Sequence, residues 1–152
     1  MNKTLVVYFS ASGETKDVAL SLAEGLQADV EEIIPVPLYS SADLNWRDRN
    51  SRSTLEMQDE SSRPKIQKTK YDVKNYETIL IGFPIWWGVE PRVVDTYIDE
   101  NDLRGKKIIV FATSGGSPLS LSHLKKTYPQ LNFISSHLCN FGVDLDSFKK
   151  EI

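Results

Sequence analysis

The feature that most constrains this chain is an alternation. Short apolar runs rich in β-branched and aromatic residues are each followed by a polar turn and a stretch with helical spacing. Leu5–Phe9 is continuous and apolar, the pattern of a strand buried on both faces. After the turn Ser10–Thr15, Val18, Ala19, Leu22, Ala23 and Leu26 form one helical stripe. Val30–Ile34 reads as a second strand, closed by Pro35 and Pro37. Thr78–Phe83 is the third, and beyond it Pro91 fits the first position of a helix whose buried face is Val94, Tyr97 and Ile98. Lys107–Thr113 is the fourth. Ser117 and Pro118 then suit a cap and first position of a helix that Pro129 ends. Asn132–Cys139 and Asp144–Ile152 read as a fifth strand and a final helix. Between the second and third strands, Val36–Lys70 is polar and irregular, with at most one helix over 43–59.

Strands alternating with helices predict a parallel sheet wrapped by helices through right-handed crossovers, an α/β fold. The chain has 152 residues and no repeat, low-complexity tract or linker, so one domain over 1–152 is expected.

Composition then removes whole classes of function. Eighteen Lys+Arg against 21 Asp+Glu gives a net charge of −3, with no strongly basic face to suggest a nucleic-acid partner. The longest apolar stretch, Ile79–Val89, is about half of the ~20 residues a membrane span needs. The run Leu5–Phe9 is too short for a signal peptide. Cys139 is the only cysteine, so no intrachain disulfide forms, and a cytoplasmic location with no membrane partner is expected. His123 and His137 lie apart, which gives no reason to expect a metal site. His123 reads as a helix-surface residue and Cys139 as a small buried hydrophobe.

In open α/β sheets ligands bind beyond the carboxyl ends of the strands, so the loops after strands one, three and four carry the functional signal. Ser10-Ala11-Ser12-Gly13-Glu14-Thr15 joins a strand to a helix. Free backbone N–H groups at a helix N-terminus, three hydroxyls and a glycine suit a phosphate dianion held by neutral donors. The plainer reading has Ser12 capping the helix and Glu14 complementing its dipole. The chain holds neither G-x-x-x-x-G-K-[ST] nor a G-x-G-x-x-G after a strand.

Pro84-Ile85-Trp86-Trp87-Gly88 places two tryptophans side by side, and consecutive side chains cannot both face one interior. One is expected to pack inward while the other covers a planar ligand; the plainer reading puts both on a sheet edge or an oligomer contact. Gly88 permits positive φ, so the 87–88 peptide can reorient cheaply. Thr113-Ser114-Gly115-Gly116-Ser117 offers backbone donors without bulky side chains, suited to the edge of a flat ring.

These three loops, in this order over nearly the whole chain, resemble flavodoxin and its flavodoxin-like relatives, in particular their short bacterial branch. The first fits the pattern [ST]-x-[ST]-G-x-T, and Arg63-Pro64 ahead of the third strand adds to the likeness. The resemblance implies a three-layer sandwich with a five-stranded parallel sheet of order 2-1-3-4-5, and bound FMN. It implies that Ser10, Ser12, Gly13, Glu14 and Thr15 hold the phosphate. Pro84, Ile85, Trp86, Trp87 and Gly88 would flank the isoalloxazine, and Thr113, Ser114, Gly115 and Gly116 would contact its edge. Trp87–Gly88 matches the family's redox-linked peptide flip. Glu14 departs from the family's neutral or basic residue, and the third loop lacks the tyrosine that many flavodoxins stack on the second flavin face.

The leading expectation is an electron-transfer protein, a one-electron carrier cycling through a flavin semiquinone. It would work between redox partner proteins, a reductase and an acceptor, as a monomer or weak dimer. Alternatives are an FMN-dependent NAD(P)H or quinone oxidoreductase, which an open flavin face would serve, and a flavin-less binding module of the same fold. A phosphoacceptor receiver needs acids after strands one and three, where Ser10 and Phe83-Pro84 stand.

Charge is unevenly spread. Residues 1–35 and 71–105 are each −4, while 36–70 is +2 and 106–152 is +3. The acidic segments bear the first two loops, so a carboxylate-rich rim for basic partners is expected around the site. Arg47, Arg49, Arg52 and Arg63 read as a solvated surface or as a docking patch for an anion.

Overall fold

The computed structural model describes residues 3–152. In chain order it contains β1 (Thr4–Tyr8), α1 (Glu14–Leu26), β2 (Asp29–Glu32), α2 (Arg52–Gln58), β3 (Thr78–Pro84), α3 (Arg92–Glu100), β4 (Lys107–Thr113), α4 (Ser122–Thr127), β5 (Asn132–Leu138) and α5 (Leu145–Glu151). The strands form one parallel sheet in the order β2-β1-β3-β4-β5, the order that the resemblance implies.

Alternating side chains serve opposite faces of this sheet. Leu5, Val7, Ile79, Ile81, Ile108 and Val110 meet Val94, Tyr97 and Ile98 of α3 on one face. Val6, Tyr8, Leu80, Ile109 and Phe111 meet Ala19, Leu22 and Ala23 of α1 and Phe148 of α5 on the other. With both faces covered, the strands can be continuously apolar. Tyr8 pairs with Gly82, and Pro84 with Thr113. That register brings the loops after β1, β3 and β4 to one edge.

Several boundaries differ from the sequence reading, each for a local reason. β2 ends at Glu32 because the chain changes partner: Pro35 bridges antiparallel to Ile66, with Val36 N donating to Lys65 O at 2.8 Å. The helix expected over 43–59 shrinks to α2. Ahead of it, Ser40 and Asp43 bond each other's backbone N–H groups, and Asn45 and Asp48 accept from Arg47 N and Asn50 N. Such side-chain bonds compete with the helical ladder. Pro91 is the N-cap, in extended conformation, and Arg92 begins α3. α4 starts at Ser122 and not at Pro118, since Ser114 Oγ donates to Ser117 O and Ser120 Oγ accepts from Ser122 N, holding 117–121 as a loop. β5 stops at Leu138, and Asp144 caps α5.

Gly82 lies opposite Phe111, and a Cβ there would fall 2.1 Å from the phenyl ring. Phe111 is fully buried, so its ring can yield only by disturbing the core around it. Gly82→Ala is therefore expected to lower stability by about 1–3 kcal/mol, read as a lower urea midpoint. An unchanged midpoint would show that the core repacks around the methyl group.

Candidate functional site

The first loop leaves β1 through Phe9, whose N–H donates to Gly82 O at 3.0 Å. Ser10 Oγ accepts from Gly13 N at 3.0 Å and closes the turn, while Gly13 sits at φ 95°. α1 then begins at Glu14 with no side-chain cap, so Ser12 does not cap it; Ser12 and Glu14 are both exposed. The first N–H groups of this 13-residue helix thus face outward at its positive end. Thr15 is buried, and its Oγ1 lies 2.8 Å from Thr113 Oγ1, which ties the first loop to the third.

In the second loop Ile85 N donates to Thr113 O at 2.8 Å. Trp86 and Val89 exchange backbone hydrogen bonds of 2.9 and 3.0 Å around Trp87 at φ 49° and Gly88 at φ 82°. Two positive φ values make this a type I′ turn, and a tryptophan in the left-handed region is strained. The turn sends the two indoles apart. Trp86 packs edge-on against Phe9 and Tyr39, with ring centroids 5.6 and 5.5 Å away, while Trp87 stays 51% exposed.

The third loop is held from a side that local sequence does not suggest. Asn140, after β5, accepts from Ser114 N at 2.8 Å and donates to Ser114 Oγ at 3.2 Å. Gly116 takes φ 135°, and a Cβ on Gly13, Gly88, Gly115 or Gly116 would meet nothing within 4 Å. Between the second and third loops lies a cleft of about 470 Å³. Ile85, Trp86, Trp87, Gly115 and Ser117 line it, joined by Leu44, Trp46 and Ser53 from the irregular segment.

Pro84 ends β3 directly ahead of Ile85, and is not itself among the residues lining the cleft. Ser10, Ser12, Gly13, Glu14 and Thr15 thus gather at the start of α1, with the second and third loops beside them on the same sheet edge.

Below the second loop lies a buried charged cluster that sequence reasoning missed. His123 Nδ1 sits 2.9 and 3.0 Å from the two carboxylate oxygens of Glu90, which is 1% exposed. His123 is therefore an anchored residue and not a free helix-surface one. Tyr128 Oη donates to Asp95 Oδ1 at 3.1 Å, and Arg92 Nη1 lies 3.8 Å from Asp95 Oδ2. Burial raises the Glu90 carboxyl, and burial next to Glu90 pushes Asp95 up to about 8. Residues 33 positions apart in sequence give no local sign of such pairing.

Charge is also arranged differently from expectation. Of the seven acids in 71–105, Glu90 and Asp95 are buried, and Asp72, Glu77, Asp99, Glu100 and Asp102 sit at the opposite end of the sheet. That segment forms no carboxylate rim at the site. Nor do the four arginines form one free patch, because Arg52 pairs with Glu56 at 2.9 Å and Arg63 with Asp99 at 2.6 Å. Cys139 is buried, which pushes its thiol up to about 11. Among the described residues no group of three His, Cys, Asp or Glu side chains is placed to hold a metal, and no helix is long and apolar enough to cross a membrane.

Solved structures resemble this architecture closely. A candidate flavoprotein from Bacteroides uniformis is 41% identical, with 98% of this chain and 96% of that one covered and a TM-score of 0.91. One from Bacteroides eggerthii is also 41% identical, covering 99% and 95%, with a TM-score of 0.93. A flavoprotein from Lactobacillus acidophilus, solved in complex with FMN, is 27% identical over 99% of both chains, with a TM-score of 0.77. No curated protein sequence matches the chain. The family model described as Flavodoxin matches residues 3–152, and with its sheet order and loops the chain belongs to the flavodoxin family.

Proposed function

We propose that this chain binds FMN across the three loops and serves as a one-electron carrier. The observation that carries this reading is a single sheet edge bearing both an uncapped helix N-terminus and a tryptophan-lined cleft, joined by the Thr15–Thr113 hydrogen bond of 2.8 Å. The FMN complex of the Lactobacillus acidophilus flavoprotein supports the choice of ligand.

The residues present fit the group. Open space above Gly13, Gly115 and Gly116 allows close approach of backbone donors. The backbone N–H groups of Glu14 and Thr15, with the Ser10 and Ser12 hydroxyls beside them, would hold the phosphate without a cation. Glu14 is exposed, so its carboxylate can turn to solvent. Ile85, Trp86 and Trp87 would flank the ring, and Thr113, Ser114, Gly115 and Gly116 would meet its edge. Bound FMN supplies the electron transfer, and the protein's part is binding, orientation and electrostatics. Trp87 would exclude water from the ring face and lower the local dielectric there. Gly88, at φ 82° and unobstructed, lets the 87–88 peptide come close to the ring edge.

Titration of the purified protein into FMN is expected to quench flavin fluorescence at one equivalent. Anaerobic titration of the complex should then resolve two one-electron steps. Undimmed fluorescence would end the FMN reading. The second reading is an FMN-dependent NAD(P)H or quinone oxidoreductase. It is favoured by the far placement of Asp72, Glu77, Asp99, Glu100 and Asp102, which weakens steering of basic partners toward the cleft. Rapid reduction by NADPH with no reductase present would select it over a carrier working between a reductase and an acceptor protein.

A further inference from the structure

Large side chains in this protein are generally buried: Phe9, Phe83, Phe111, Phe148 and Tyr97 are all 2% exposed or less. Among the aromatic side chains Trp46 at 64%, Trp87 at 51% and the fully exposed Phe141 break that rule, and the two tryptophans line the same cleft although they come from separate segments. Two exposed indoles converging on one concavity mark a ligand surface.

Trp46 is carried by an ordered turn. Tyr39 packs against Phe9 and Trp86 with centroid distances of 5.7 and 5.5 Å, and its hydroxyl donates to Glu56. The Arg52 guanidinium lies 4.0 Å above the Tyr39 ring and donates to Pro37 O. Ser53 N reaches back to Asp43 O at 3.0 Å, and Arg47 stacks 5.0 Å over the Trp46 ring itself. The segment is thereby fastened to the second loop, which makes the outer wall of the cleft a pre-organised surface. No charged residue lines the cleft, so it suits a flat, uncharged ring whose phosphate is held elsewhere.

We propose that Trp46, with Leu44 beside it, is a second aromatic wall that closes over the isoalloxazine ring of FMN from outside the three loops. This rests on the FMN reading above. The third loop brings only Gly115 and Ser117 to this cleft, so the cover on that side comes from the Trp46 segment.

The test is FMN titration of wild type, Trp46→Ala and Trp46→Phe, followed by flavin fluorescence. W46A is expected to weaken FMN binding about tenfold and to raise the residual fluorescence of the saturated complex, while W46F stays close to wild type. Because Trp46 is exposed, the urea midpoints of the three proteins should coincide. W46A that binds and quenches FMN like wild type would overturn the assignment while leaving FMN binding intact. W46F as weak as W46A would likewise overturn an aromatic wall. Wild type that leaves FMN fluorescence undimmed would remove both the assignment and the reading it rests on.

Discussion

Arg92→Met is expected to lower folding stability by about 3–5 kcal/mol, measured as a fall in the urea midpoint at neutral pH. Arg92 is 3% exposed; its Nη2 donates to Met57 O at 3.0 Å and its Nε to Glu56 O at 3.3 Å. Its third role is electrostatic, with Nη1 lying 3.8 Å from Asp95 Oδ2 in a region that also buries Glu90. Methionine replaces the aliphatic stem but none of these functions. Two α2 carbonyls lose a donor, and two buried carboxyls lose their nearest guanidinium. Removing the guanidinium strips a donor from two helix carbonyls and takes away the cation that favours ionisation of two buried carboxyls, a larger loss than that of an exposed pair. The destabilisation should deepen as pH rises, since the orphaned carboxyls must then ionise without their cation. A loss below about 1 kcal/mol would mean that water reaches the cluster.

Asp95→Asn is expected to flatten the pH dependence of stability between about pH 4 and pH 8. The native carboxyl is pushed up to about 8 by burial and then by Glu90, while Arg63 draws it down. Glu90, Tyr128, Arg92 and Arg63 face this group, and His123 faces its neighbour Glu90. In the unfolded chain the same carboxyl titrates near 3.9. The proton is therefore bound more tightly in the folded state. Its stabilising contribution is complete below about pH 4 and is lost as pH rises through about 8. Across that window the slope approaches about 1.4 kcal/mol per pH unit if the proton is held by this site alone. Urea unfolding of wild type at pH 5, 6, 7 and 8 should show the decline, and D95N should show much less of it. Parallel profiles would mean that Asp95 is already ionised in the native protein.

Where expectation and structure part, the difference is one of distance along the chain. The apolar runs, the helical stripe of α1 and the positions of the three loops follow from periodicities within ten or twenty residues, and β4 has the bounds of its apolar run. Helix starts were less legible. Ser117-Pro118 has the composition of a helix start, yet Ser114 and Ser120 hold that stretch as a loop through their own hydroxyls. The irregular segment looked like a solvated surface because its composition is polar. Its fold depends on Tyr39, Arg52 and Ser53 reaching across to other parts of the chain.

The α/β alternation, and with it the set of loops at one sheet edge, is legible in the amino-acid sequence because burial on both faces of a strand and on one face of a helix leaves a local pattern. The tertiary structure alone decided the partners. Thr15 meets Thr113, Ser114 meets Asn140, Glu90 meets His123, and Trp46 joins Trp87 at the cleft. Those contacts arise only when crossovers bring distant segments together, and no periodicity records where a polar side chain will find its hydrogen bond.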